Sequence, residues 1–151
     1  MVRSMEGKHP LYYEAILQLR DIVPEIEEFA FAAIKKKGVP ITRIKKVQGG
    51  IDIYLADKSV ARTIGKQLQE RFGGEHKVTQ SVYGMKGGNT IYRITILFRG
   101  LPFRKGQQVL YKGEPCTVLL LGKDIFLRQD ATGKKMHVKF KDAAGIKRRK
   151  E

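Results

Sequence analysis

The side chains best equipped for chemistry in this sequence are its cations. Arg104, Lys105, Lys112, Lys123, Lys134 and Lys135 fall in short turns of the C-terminal third. No fold requirement calls for charge at such positions, and loop cations there can meet phosphates. Lys77, Arg93 and Arg99 fall instead in strand-like runs of the first hundred residues, interleaved with Tyr12, Tyr54 and Tyr83. Rings set beside Lys and Arg on an open sheet can stack bases and grip phosphates. A lysine in a turn is also an ordinary solvated residue, so the pointer to binding is their number and the shortage of matching acids. The 151 residues carry 30 Lys+Arg against 15 Asp+Glu, a formal charge of +15. Residues 1–100 hold 17 basic and 10 acidic side chains and residues 101–151 hold 13 and 5, which makes the C-terminal third the denser cation. Self-repulsion of this size does nothing for a compact state; a polyanionic partner explains it, nucleic acid being the commonest, with a solubility surface as the plain alternative.

Reaction chemistry finds no comparable support. The lone Cys116 cannot form an internal disulfide, and His9, His76 and His137 stand too far apart in sequence to give zinc-ligand spacing. Cys116 sits beside Val118 and Leu120 in an apolar strand, where a free thiol behaves as a small hydrophobe and a poor nucleophile. The pairs Gly49-Gly50 and Gly87-Gly88 lack the Lys-Ser/Thr ending of a phosphate loop. Asp52 lies in a strand and Asp57 at a helix start, so solvation and capping account for them better than a carboxylate pair. The expectation is a protein that is not an enzyme and has no metal and no cofactor. No apolar run approaches the roughly 20 residues of a membrane span, and the start lacks the apolar stretch of a secretory signal. With 42% apolar and 30% charged residues, the reading is a folded, cytoplasmic monomer with no membrane partner.

These groups must be positioned by elements whose periods are legible. Tyr13, Ala15, Leu17 and Leu19 alternate with Glu14, Gln18 and Arg20, which predicts a half-buried strand. The next segment opens on Pro24, carries Glu25, Glu27 and Glu28 early and Lys35-Lys36-Lys37 late, and stops at Gly38. Those charges suit a helix dipole at both ends, so the lysine triplet is read as helix capping before RNA contact. Gly49-Gly50 predicts a hairpin turn between two strands within Ile41 to Leu55, both glycines supplying positive φ. Asp57 caps a second helix bearing a Val60, Ala61, Ile64, Leu68, Phe72 stripe, which Gly73-Gly74 stop. Strands over His76 to Tyr83 and Thr90 to Arg99 follow, the second with Tyr92, Ile94, Ile96 and Phe98 at period two. The β-α-β-β-α-β-β order predicts an α+β domain over 1–100: a split β-α-β-like antiparallel sheet with two helices on one face. Its opposite face would present Tyr12, Tyr54, Lys77, Tyr83, Arg93 and Arg99.

At Leu101-Pro102-Phe103 the pattern restarts in shorter units. Gln107 to Tyr111, Pro115 to Leu121, Asp124 to Arg128 and Lys135 to Phe140 read as short strands with tight turns, which predicts a small SH3-like β-barrel over 101–146. Residues 147–151, with Lys147-Arg148-Arg149-Lys150, read as a disordered basic tail.

Taken in order, Tyr13 to Arg20, Ile44, Gly50-Ile51-Asp52-Ile53-Tyr54, Ala61, Leu68, Lys77-Val78-Thr79-Gln80-Ser81 and Asn89-Thr90-Ile91-Tyr92 resemble the nonsense-mediated-decay protein three family. The eukaryotic members of that family are export adaptors of the large ribosomal subunit. The C-terminal part is similar to the first domain of translation factor five-A. The resemblance implies a partner in the large ribosomal subunit, with contacts to ribosomal RNA and proteins near the tRNA exit region, and a role in subunit maturation or translation quality control. A general RNA-binding or translation-elongation accessory protein is the other reading. The family's N-terminal Cys-x-x-Cys zinc modules have no counterpart here, which implies a fragment or a reduced homologue. The lack of room for C-terminal transport signals implies an archaeal-type protein without nuclear export.

Overall fold

The computed structural model describes residues 12–148; His9 and the tail residues Arg149 to Glu151 lie outside them. The first part of the chain forms β1 (Ala15–Arg20), α1 (Pro24–Lys37), β2 (Ile41–Val47), β3 (Gly50–Leu55), α2 (Lys58–Phe72), β4 (Gly74–Lys86) and β5 (Asn89–Gly100). These are the predicted seven elements, and the class is α+β. Both helices form for local reasons. Pro24 stands at the start of α1, Glu25 and Glu27 lie in its first turn, Lys35, Lys36 and Lys37 in its last, and Gly38 ends it in the left-handed region. Asp57 accepts hydrogen bonds from the backbone N–H groups of Ser59 (2.8 Å) and Val60 (3.1 Å) at the start of α2.

The five strands lie in the order β2-β3-β1-β5-β4. The expected antiparallel sheet is corrected here to a mixed one, because β1 pairs β5 in parallel, from Ala15↔Ile94 to Arg20↔Arg99. The other three ladders are antiparallel. The cause is topological. After α2 the chain runs out along the far edge as β4 and returns as β5 between β4 and β1, so the added strand is inserted into the sheet, with its direction reversed, and is not appended to it.

One face of this sheet takes both helices. Leu17, Leu19, Ile53, Leu55, Ile94, Ile96 and Phe98 meet Ile26, Ala30 and Ile34 of α1 and Val60, Ala61, Ile64 and Leu68 of α2 in one buried cluster. Alternation accounts for this: the apolar positions of each strand project to one side and cover the apolar stripes of the helices. The β2–β3 turn departs from the expected form. Gly49 alone has positive φ, and Gly50 already belongs to β3. Glycine is needed at Gly50 for a different reason, since a Cβ there would lie 1.9 Å from the carbonyl oxygen of Leu19 in the neighbouring strand.

Past Leu101 a second sheet forms in the order β10-β6-β7-β8-β9. Its strands are β6 (Gln108–Tyr111), β7 (Glu114–Leu121), β8 (Ile125–Gln129), β9 (Lys135–Val138) and β10 (Ile146–Arg148), with a 3-10 turn over Phe140–Gly145. A meander of short strands is found where one was expected, with one addition. Lys147 and Arg148, read from the sequence as the start of a disordered tail, pair with Leu110 and Val109 of β6. Among the described residues no ladder joins β9 to β10, so the sheet is open between its two edge strands. Val138 of β9 and Ile146 of β10 nevertheless reach the same cluster as Phe103, Val109, Cys116, Val118, Ile125 and Leu127.

Candidate nucleic-acid interface

Register sorts the cations of the first sheet by face. On β5 the residues that alternate with buried Ile94, Ile96 and Phe98 are Arg93, Thr95, Leu97 and Arg99, and their β4 partners are Ser81, Thr79, Lys77 and Glu75. Lys77, Arg93 and Arg99 therefore share the face away from the helices. Their circumstances differ. Arg99 is occupied by acids, with Asp21 at 2.9 Å and Glu75 at 3.7 Å. Lys77 is exposed. Arg93 lies between two rings, its guanidinium carbon 3.8 Å from the ring centre of Tyr13 and 3.6 Å from that of Tyr83, with its Nε–H donating to the Tyr13 carbonyl at 3.0 Å.

The row continues across the sheet. Tyr13 meets Tyr54 edge to face at 4.8 Å and 84°, and Arg43 of β2 stands over Tyr54 at 5.4 Å. Arg43, Tyr54, Tyr13, Arg93 and Tyr83 thus form a row of two arginines and three rings from one sheet edge to the other. Of the face read from the sequence, Tyr54, Tyr83 and Arg93 are brought together, while Tyr12 instead donates its hydroxyl to Glu14 at 2.6 Å. Tyr13, expected among the apolar positions facing the helices, lies on the open face. The reason is Glu14. Its carboxylate accepts from the Lys58 backbone N–H at the start of α2 (3.1 Å), so Glu14 and Ala15 are both buried, and the alternation skips a position. Arg43 was also missed; a β2–β3 register shift between Ile41 and Arg43 places it opposite Tyr54.

The turn cations of the second sheet do not gather at one place. A meander alternates its ends, so Lys112 in the β6–β7 turn and Lys134 and Lys135 at the β8–β9 turn lie at one end. Lys123 in the β7–β8 turn, with Arg104 and Lys105 before β6, lies at the other. That second end abuts the two helices of the first part of the chain. Arg104 pairs with Glu25 of α1 at 3.3 Å, and Arg104 and Lys105 line a groove with Ile26, Phe72, Leu101 and Phe103. A Cβ on Gly73, at the end of α2, would come within 2.7 Å of Leu121.

The titratable groups with displaced equilibria lie away from the ring row. Burial, with Lys66 nearby, pushes the His76 imidazole below its ordinary value. Burial raises the Cys116 thiol, with Asp130 and Glu114 adding to it. Asp124 is held low by its hydrogen bond with His137 at 2.7 Å and by the Phe140 backbone N–H at 3.1 Å. That carboxylate ties the start of β8 to the 3-10 turn. Among the described residues no three His, Cys, Asp or Glu side chains come together to hold a metal ion, and no helix is long and apolar enough to cross a membrane.

Residues 12–99, more than half of the chain, match the family model described as NMD3, second domain. No curated protein matches the chain.

Proposed function

The chain belongs to the NMD3 family, and from that premise we propose that it is a non-enzymatic binding protein of the large ribosomal subunit. In this reading it acts in the cytoplasm, as a monomer, in subunit maturation or translation quality control. It does so through basic contacts to ribosomal RNA. The observation that carries the reading is the family match over the whole first sheet and its helices. The formal charge of +15 supports it, since an excess of that size is put to use by a polyphosphate partner. The cations assigned to RNA binding are Lys77, Arg93 and Arg99 on the open face, and Arg104, Lys105, Lys112, Lys123, Lys134 and Lys135 around the second sheet.

The second sheet is read as an SH3-like barrel. Support comes from its strand order, from the 3-10 turn before the last strand, and from both edge strands contributing to one core. The deciding experiment is co-sedimentation of the protein with purified large and small subunits at physiological salt. Retention on the large subunit alone is expected. Equal binding to both subunits and to unrelated RNA would favour a general RNA-binding or elongation accessory protein, a reading that the scatter of cations over both ends of the second sheet would then explain.

A further inference from the structure

We propose that the open face of the first sheet is a stacking site for an unpaired RNA nucleobase, with Tyr83 as the platform and Arg93 as the residue that holds it. The proposal rests on the RNA contact of the preceding reading and names the element of RNA that this face takes. The guanidinium of Arg93 stands over the Tyr83 ring at 3.6 Å, while Tyr83 as a whole remains 49% exposed, which leaves surface of the residue for a ligand to cover. Arg93 is itself fixed, by Tyr13 against its second face and by its bond to the Tyr13 carbonyl. A planar cation fixed in this way spares the ring the ordering cost of docking a base.

The backbone also aims the ring. The β4–β5 ladder slips between Val82 and Gly84, leaving Tyr83 as the extra residue of a β-bulge, a device that redirects a side chain at the rim of a sheet. The same face carries Ser81 and Thr79 next along β4, exposed Lys77 farther down that strand, and exposed Arg43 and Lys45 on the opposite edge strand, none of these three cations in an ion pair among the described residues. A ring at one edge and cations spaced over the rest of the face suit a stacked base and the phosphates of a single strand running across the sheet. A duplex does not fit, because A-form RNA keeps its base faces stacked inside and presents only sugars, phosphates and edges. An apolar protein segment would find better contacts on the reverse side of the same hairpin, where Val78, Val82, Met85 and Tyr92 are exposed.

The test uses the full chain with two probes, a ten-nucleotide single-stranded oligouridylate and a ten-base-pair RNA duplex. Tyrosine fluorescence serves as a readout because the chain has six Tyr and no Trp. Tyr83→Ala should weaken single-strand binding about tenfold and leave duplex binding and the melting temperature unchanged. Tyr83→Trp should restore the single-strand affinity. Arg93→Lys, which keeps the charge and loses the plane, should reproduce most of the loss. The salt slope should not change in Tyr83→Ala, because no phosphate contact is removed. Unchanged single-strand affinity, or equal losses for both probes, would overturn the stacking site even if the protein sediments with the large subunit. A Tyr83-dependent preference for the single strand in a protein that ignores the large subunit would uphold the site and remove the ribosomal reading.

Discussion

The two sheets of this molecule differ in the cations that they hold fixed. In the first, arginines are built into the structure: Arg20 pairs with buried Asp52 at 2.7 Å, Arg99 with Asp21 at 2.9 Å, Arg71 stands over the Phe29 ring at 4.9 Å, and Arg93 lies between Tyr13 and Tyr83. In the second, the turn cations are mostly exposed lysines. Lys123, Lys134 and Lys135 have no ion pair among the described residues, and Lys112 reaches only the Tyr111 ring at 5.4 Å. Arg104, bound to Glu25, is the exception and faces α1. A held guanidinium offers a ligand a fixed geometry, whereas a free ammonium offers charge. The first sheet is therefore suited to recognise shape, and the second to supply attraction.

The largest effect that would sharpen this contrast is that of salt. With about six phosphate contacts to single-stranded RNA, raising salt from about 50 to 200 mM should weaken binding by roughly 300-fold. Replacing Lys112, Lys134 and Lys135 together by Gln should lower the slope of log affinity against log salt by about 2 and leave the thermal midpoint unchanged. Replacing Lys35, Lys36 and Lys37 should instead lower stability by about 1 kcal/mol, since these residues face the C-terminal end of α1. If both triplets reduce the slope equally, attraction comes from the whole molecule and the contrast fails.

Next in size is the difference between the two cores. Eighteen residues are buried in the first cluster and eight in the second. Leu127→Ala and Ile53→Ala should each cost about 3 kcal/mol. Because the smaller core has less stability to lose, Leu127→Ala should melt the second sheet separately, below the transition of the first, in calorimetry with a paired spectroscopic probe. A single unchanged transition for both variants would show that the sheets unfold as one unit.

A smaller effect concerns β10. Ending the chain at residue 146 removes two of its three ladder positions and the Arg148 Nε–H bond to the Pro102 carbonyl at 2.7 Å. A loss of about 1–2 kcal/mol in the second sheet is expected. An unchanged melt would mean that Lys147 and Arg148 add nothing to the sheet.

The smallest is a pH effect confined to the first sheet. The folded His76 value lies below the ordinary 6.5. Between the two values the unfolded chain holds the extra proton, so stability present near neutral pH is lost as pH falls below about 6.5 and the loss levels off below the folded value. Asp124 of the second sheet acts in a lower window: its folded value is also depressed, from 3.8, so its contribution is lost only as pH falls through and below that value. His76→Gln should flatten the upper window alone, measured as midpoint against pH.

Most of the first sheet's local structure was legible because its signals are short-range. Pro24, the Glu and Lys ends of α1, the Asp57 cap and the period-two run from Ile94 to Phe98 act within a turn or two of the chain. Tyr92 was placed with Ile94 on one face, yet it is exposed because the helices do not reach that far along the hairpin. In the second sheet β10 escaped notice since three residues, Ile-Lys-Arg, carry too little pattern to stand out from a basic tail. Of the ring row, Tyr54, Tyr83 and Arg93 follow from alternation, whereas Tyr13 required knowing that Glu14 turns inward to meet α2.

The sequence by itself determined both long helices, every strand but β10, the apolar side of most of them, and that the whole is a strong polycation. These properties arise from the backbone periods of 3.6 and 2 and from the sum of charges, and neither depends on what lies next to a segment. Only the tertiary structure decided that β5 is the parallel neighbour of β1, that Arg93 rests between Tyr13 and Tyr83, and that the turn cations divide between two ends of the second sheet. Each of these follows from pairings between residues far apart in the chain. Such pairings are chosen by the free energy of the assembled core, which no local window of residues contains.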